Sequence, residues 1–190
     1  MMESKPIVSS FIWKFLERGA AQVFALIVQI VLARLLAPED FGVLAVLLVF
    51  INLSNVLIQK GFATALVQKE HIEDIDINTV FWISELIASF LYILLWCFAP
   101  LLENVYRTLH LASYLRIISI SLFAGAFYSI ENSLLIRSMQ FKKMFFSSFA
   151  ATLIAGTLAM VLAYKGMGCW ALIWQNIVQQ ILLSAFSFPF

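Results

Sequence analysis

Seven ionisable side chains fall inside or at the edges of long apolar runs: Lys14, Glu17, Arg18, Arg34, Glu85, Arg116 and Glu131. A charge in hydrocarbon is costly, so such residues mark a binding path, a transport path or a polar helix contact. Arginine suits an anion best, because guanidinium stays charged and offers paired donors to phosphate or carboxylate. Lys14, Arg34 and Arg116 also fit anchors whose heads snorkel toward the membrane surface. Arg18 fits a cavity better. At about 100° per residue, Lys14, Arg18, Gln22 and Gln29 form a stripe roughly 80° wide. The rest of that helix is Val, Ile, Leu, Phe and Ala. Lipid gives no reason to keep such a stripe; a wet cavity or a protein partner does. Asn52, Asn55 and Gln59 share a face further on, as do Glu85, Ser89, Tyr92 and Trp96. The candidate cavity set is Arg18, Gln22, Gln29, Arg34, Asn55 and Glu85.

Other chemistry is sparse. His71 and Asp76 have the His-x4-Asp spacing of glycerolipid acyltransferases, but no supporting Gly- or Pro-rich block accompanies them. A solvated acidic loop is the better reading of that charge run. There is no Cys-x-x-Cys and no His-x-x-x-His, and His71 and His110 fall on opposite sides of the expected membrane, so no metal site is assigned. Gly-x-Ser-x-Gly, P-loop and Gly-x-Gly-x-x-Gly patterns are lacking. No catalytic residue and no cofactor is expected, and the chain reads as a non-enzyme. Cys97 and Cys169 fall near one face of the membrane. They read as small apolar helix residues, with a disulfide open on an oxidising side.

The elements that must carry these residues are membrane spans. The 190 residues are 63% hydrophobic and 12% charged, with mean hydropathy +0.96. Soluble domains hold about 45–50% apolar and about 25% charged residues. The expected class is therefore an all-α integral membrane protein. The net charge of +1, with scattered basic residues, gives no nucleic-acid signal. The first apolar run is too long for a signal-peptide core and is read as a retained span.

A span needs about 20 apolar residues. Six are expected, at roughly 10–36, 41–59, 79–99, 112–135, 145–164 and 169–187. Pro38 suits a first helical turn, and Glu39 and Asp40 complement its positive end. Asp76 or Asn78 is expected to cap the third span and Pro100 to stop it. Ser148, Thr152 and Gly156 make a small-residue ridge in the fifth, which permits close helix approach. Gly166 and Gly168 mark the turn into the sixth, where Gln175, Asn176, Gln179 and Gln180 sit mid-helix. With the N-terminus cytoplasmic, Lys5, Lys14, Arg18, Lys60, Lys69, Arg137, Lys142 and Lys143 fall inside. Arg34, Arg107, Arg116 and Lys165 fall outside. The excess of inner basic residues favours that orientation.

Five blocks carry a family resemblance. They are Phe11-Ile-Trp-Lys-Phe-Leu-Glu-Arg-Gly-Ala-Ala-Gln22, Leu32-Ala-Arg-Leu-Leu-Ala-Pro-Glu-Asp-Phe-Gly42, Gly61-Phe-Ala-Thr-Ala-Leu-Val-Gln-Lys69, Arg137-Ser-Met-Gln-Phe-Lys-Lys143 and Ala163-Tyr-Lys-Gly-Met-Gly-Cys-Trp-Ala-Leu172. In order and nearly along the whole chain, these resemble the polysaccharide transporters, the Wzx-type O-antigen and exopolysaccharide flippases. That family is part of the multidrug/oligosaccharidyl-lipid/polysaccharide exporter superfamily. The resemblance implies a MATE-like fold with two six-helix lobes around a central cavity. It implies flipping of undecaprenyl-pyrophosphate-linked oligosaccharide across a bacterial inner membrane by alternating access, for lipopolysaccharide or exopolysaccharide synthesis. Cationic cavity residues would attract the pyrophosphate, and Arg18 and Arg34 carry over as candidates. Residues 1–190 then read as one N-terminal six-helix lobe. It would need the missing C-terminal lobe or self-association, because a lone lobe exposes its polar stripes to lipid. The competing readings are a cation-coupled small-molecule exporter of the same superfold, in which Glu85 and Glu131 would serve the coupling ion, and an inactive truncated product.

Overall fold

The computed structural model describes residues 22–58, 74–108, 110–138 and 140–187. Among them there is no strand; the chain is all-α. The described helices are α1 (Gln22–Leu35), α2 (Pro38–Ile58), α3 (Asp74–Tyr106), α4 (Leu111–Ile118), α5 (Ser121–Arg137), α6 (Phe141–Tyr164) and α7 (Cys169–Ser187). Among the described residues, four stretches are long and apolar enough to cross a membrane: 38–58, 75–106, 111–137 and 142–164. The 19 residues of α7 are long enough, but its Gln and Asn residues lower its hydropathy. On α3, Trp82, Leu86, Phe90 and Ile93 form one exposed apolar flank. Soluble monomers rarely leave such a surface uncovered, whereas lipid covers it.

The helix boundaries follow from local chemistry. Pro38 opens α2, with Glu39 and Asp40 in its first turn, as the sequence predicts. The end of α6 is a glycine cap. Gly166 has φ 77°, its N–H donates to the Ala163 carbonyl, and the Met167 N–H donates to the Leu162 carbonyl. That pairing satisfies the last carbonyls of the helix. Gly168, at φ 54°, completes the turn into α7.

Two boundaries differ from the sequence reading. Pro100 does not stop the third helix; α3 runs through it to Tyr106. A proline inside a helix forfeits one backbone bond, and membrane helices tolerate that where neighbours compensate. Here the extension is tied down, since the Glu103 carboxylate accepts the Ala112 N–H of α4 at 2.9 Å. The start of α3 at Asp74 places Asp76 and Asn78 within its first turns, not at the cap. The expected span 112–135 corresponds to the one apolar stretch 111–137, within which Ser119 and Ile120 separate α4 from α5. The Ser119 hydroxyl donates to the Leu115 carbonyl at 2.6 Å and the Ser121 hydroxyl to the Ile118 carbonyl at 2.6 Å. Backbone bonds Ile120 N–H to Ile117 O and Leu122 N–H to Ser119 O replace the regular ladder. Serine hydroxyls that compete for helix carbonyls bend helices, and this pair brackets the break.

Leu32, Leu47, Ile51, Ile58, Leu115, Ile118, Leu122 and Ile173 are central to the core. Helix α2 contacts α3, α4, α5 and α7, and α6 packs along α7. On α6 the small residues Ala151, Ala155, Ala159 and Ala163 are buried at four-residue spacing. Gly156 lies where a Cβ would come 2.7 Å from Val28 Cγ2 of α1. The ridge expected from Ser148, Thr152 and Gly156 thus meets α1 at Gly156. Phe24 of α1 meets Phe149 of α6 at 6.2 Å between ring centroids.

Candidate functional site

Helix α1 uses one face to pack and leaves the next one open. Val28, Leu32 and Leu36, four residues apart, are buried. Gln22 and Gln29 are both exposed. At about 100° per residue they fall together, roughly 60–80° from Leu32 at the centre of the packed face. The structure therefore brings these two members of the stripe onto one open surface. Arg18 lies outside the described residues. Arg34 is exposed at the opposite end of α1 from Gln22, roughly 120–140° around the axis from the two glutamines, so it does not extend their stripe.

Asn55 and Glu85 sit elsewhere. Asn55 is half-buried on α2, and its Oδ1 would lie 2.9 Å from a Cβ placed on Gly125 of α5. That oxygen is buried with no hydrogen-bond partner among the described residues. Asn52 is exposed on α2, and Gln59 lies outside the described residues. Glu85 is half-buried on α3, where its main-chain carbonyl accepts the Ser89 hydroxyl at 2.8 Å. The other members of its face make a continuous aromatic seam with α4 and α5. Tyr92 meets Trp96 at 5.7 Å and Phe123 at 5.5 Å. The Arg116 guanidinium lies 4.7 Å over the Trp96 ring. This is a cation–π contact, and Arg116 Nε is buried without a hydrogen-bond acceptor among the described residues. Sequence alone placed Arg116 among the snorkelling anchors; the stacking partner comes from another helix and is not visible in spacing.

A second concavity was not anticipated. A cavity of about 350 Å³ lies between α3, α5 and α7, near the end of the bundle that holds the α5–α6 turn. Its walls include Ile77, Asn78, Phe81, Phe127, Glu131 and Ser187. Phe81 and Phe127 meet edge to face at 5.8 Å. Glu131 Oε2 is buried with no hydrogen-bond partner among the described residues. Its charge stood out in the sequence, but the apolar and aromatic walls from α3 did not, because they converge only in the folded bundle.

Among the described residues, no group of three His, Cys, Asp or Glu side chains could hold a metal ion. Cys97 is an exposed free thiol on α3, and Cys169 is a buried free thiol at the start of α7. His71 lies outside the described residues, so the His71/Asp76 spacing has no geometry here.

These elements define an all-α, multi-pass membrane protein whose polar groups gather on helix faces and in a lateral cavity. The chain belongs to the polysaccharide biosynthesis protein family, whose profile matches residues 31–190. It is similar to the succinoglycan biosynthesis transport protein ExoT of Rhizobium meliloti, 28% identical over 181 residues, which cover 95% of this chain and 37% of that protein. It is also similar to the lipopolysaccharide biosynthesis protein WzxC of Escherichia coli K12, 24% identical over 139 residues, covering 73% of this chain and 28% of the relative. A membrane protein from the cps region of Klebsiella pneumoniae is 26% identical over 86 residues, 45% of this chain and 18% of that one. The chain thus spans well under half the length of these relatives. No solved structure matches it.

Proposed function

We propose that the chain is the N-terminal six-helix lobe of a flippase. The substrate is an undecaprenyl-pyrophosphate-linked oligosaccharide, carried across the bacterial inner membrane by alternating access for surface polysaccharide synthesis. Three things support this: the family match, a relative named as a succinoglycan transport protein, and the fraction of that relative's length the chain spans. The observation that carries the reading is the open Gln22/Gln29 face on a helix whose neighbouring face is fully packed. Amide groups facing hydrocarbon would be left without partners at a cost of several kcal/mol on the order given by apolar transfer. A water-filled path between this lobe and a second one removes that cost. The second lobe comes from the remainder of the protein or from another copy, and the N-terminus lies on the cytoplasmic side.

Arg18, in line with the two glutamines by sequence, is the cation that attracts the pyrophosphate in this reading. Arg34 is a second cation at the far end of α1. Asn55 lies at the α2–α5 contact and tunes helix packing, and Glu85 sits on the α3 seam.

The test is substitution of the open face in cells that depend on the protein. Gln29→Leu should leave protein level unchanged and lower surface polysaccharide several-fold, with lipid-linked oligosaccharide accumulating in the inner leaflet. Normal export with Gln29→Leu and Arg18→Ala combined would remove the α1 face from the transport path. The small-molecule exporter reading predicts the opposite pattern, with resistance to toxic cations lost and polysaccharide retained.

A further inference from the structure

Two contacts fix the antiparallel register of α3 against α4 and α5. The Glu103 carboxylate accepts the Ala112 N–H at 2.9 Å, and Tyr92 meets Phe123 at 5.5 Å. Equal lengths of chain separate these contacts on the two sides, so Trp96, between them on α3, stands opposite Ser119. Each side is interrupted at that depth. Pro100 has no N–H to give the Trp96 carbonyl one turn back, so α3 lacks a rung there. Across from it, Ser119 and Ile120 separate α4 from α5, and the N–H groups of Ile120, Leu122 and Phe123 donate to the tighter Ile117, Ser119 and Ile120 carbonyls. Beyond this layer the tip of the hairpin is held in one shape. Its turn has Arg107 at φ 52° and His110 at φ 68°, left-handed values that non-glycine residues keep only where their surroundings fix them. The Glu103–Ala112 bond supplies such a constraint, because it joins the end of α3 to the first turn of α4. Arg116 over Trp96 at 4.7 Å, and Tyr114 edge to face with Trp170 of α7 at 5.0 Å, tie the tip to the rest of the bundle. Leu111 and Leu115 of α4 are in the core, but lipid is as apolar as that core, so parting them from it carries little hydrophobic penalty.

We propose that the end of α3 (101–106) and all of α4 turn as one body about the layer of Pro100 and Ser119–Ile120, with the Arg116–Trp96 stack as the catch. A weak point in one helix alone is splinted by the neighbour packed along it. Here both neighbours are weak at the same height, so they bend together. Sharp bends in helices have such causes: a proline, or hydroxyls that compete for the ladder. The arms of the moving body are joined through Glu103 and travel together. Arg116 is on the moving side and Trp96 on the fixed side, so their stack must part when the hairpin swings. Tyr114 must leave Trp170 in the same step. The swing opens the lobe between α4 and α7 at the end that holds the α3–α4 turn. With the N-terminus cytoplasmic, that end is the outer one. The close contacts of α6 with α1 and α7 lie outside the moving part and stay closed.

The experiment is amide hydrogen exchange, read by mass spectrometry, on the full protein in nanodiscs. Residues 101–106 and 111–118 should share one exchange rate, as a cooperative unit does, and it should exceed that of residues 126–134 in α5. Pro100→Ala restores the missing rung of α3 and should slow both arms several-fold, α4 included, although α4 itself is unaltered. Ser119→Ala removes one of the competing hydroxyls and should slow both arms from the other side, which keeps the test open if the proline variant does not accumulate. Trp96→Leu releases the catch and should speed both arms by about two- to fivefold, the ratio for one partly exposed cation–π pair. Different rates in the two arms overturn the proposal, as does a hairpin that exchanges no faster than α5. Slowing by Pro100→Ala that stays within α3 overturns it too, because the two interruptions then act separately. Polysaccharide export is not part of this readout, so failure here is distinct from failure of the transport reading.

Discussion

Two seams of the bundle are built on opposite principles. Where α6 meets α1, a glycine lets the helices approach until atoms touch: Gly156 has no room for a Cβ beside Val28. Where α3 meets α4 and α5, large rings and ionisable groups fill the contact. Phe81, Tyr92 and Trp96 face Phe127, Phe123 and Arg116, and the cavity opens beside them. In lipid there is no hydrophobic gain from helix association, so close packing is the main source of cohesion. The first seam thus supplies stability. The second keeps buried polar atoms that have no hydrogen-bond partner among the described residues, including Arg116 Nε and Glu131 Oε2, and so carries an energetic cost that the first does not.

The sharpest way to break the contrast is to add bulk at the tight seam. Gly156→Leu should cost about 3 kcal/mol or more, by overpacking at a helix contact, and should lower the thermal midpoint in detergent or prevent accumulation altogether. Gly156→Ala alone should be milder, and Val28→Ala should restore part of its loss, because the clash is with the Val28 methyls. If Gly156→Leu is tolerated, α1 is not held against α6 in this way. Next in size is Gly125→Ala. Its Cβ would meet the Asn55 Oδ1 at 2.9 Å, the end of a side chain that can turn away, so about 1–2 kcal/mol is expected. Asn55→Ala should relieve that clash and also remove a buried oxygen without a partner, making the double variant nearly as stable as the original chain. A double variant as unstable as Gly125→Ala would show that Asn55 is not the obstacle.

Much of the first seam was legible in the sequence and little of the second. The spacing Ser148, Thr152, Gly156 announces a small-residue ridge whatever packs on it, and the glycines after Tyr164 announce the turn. Those signals are local. The turn chemistry at Pro38 is local too. Pro100 misled because its rule, that a helix stops there, holds for water, where a lost backbone bond is replaced by solvent and the chain is free to leave; here Glu103 anchors the next turn to α4. The break at Ser119–Ile120 was hidden for a different reason: apolar character runs straight through it, and only the hydroxyl bonds reveal the interruption. The polar residues were found one by one, but their company was not. Glu131, Arg116 and Glu85 each stood out as charges in apolar runs, while the partner that gives Arg116 its meaning lies 20 positions away on another helix.

Arg116 and Trp96 provide the finest test of the second seam. If Arg116 is only an anchor reaching for headgroups, its contact with Trp96 is incidental and the two side chains contribute independently. If the stacking at 4.7 Å is what holds the guanidinium, then Trp96→Leu and Arg116→Met should each cost about 0.5–1 kcal/mol, the range for a partly exposed cation–π pair. The double variant should then cost less than the sum, since the second change finds no interaction left to remove. Arg116→Lys keeps the charge but loses the flat guanidinium face, and should recover less than half of the coupling. The measurement is a double-mutant cycle on thermal stability in detergent or nanodiscs. A coupling energy near zero assigns Arg116 to the membrane surface. A coupling retained in full by lysine makes point charge, and not stacking geometry, the basis of the contact. A coupling that depends on arginine makes the stacking of the guanidinium on Trp96 the basis of the α3–α4 contact.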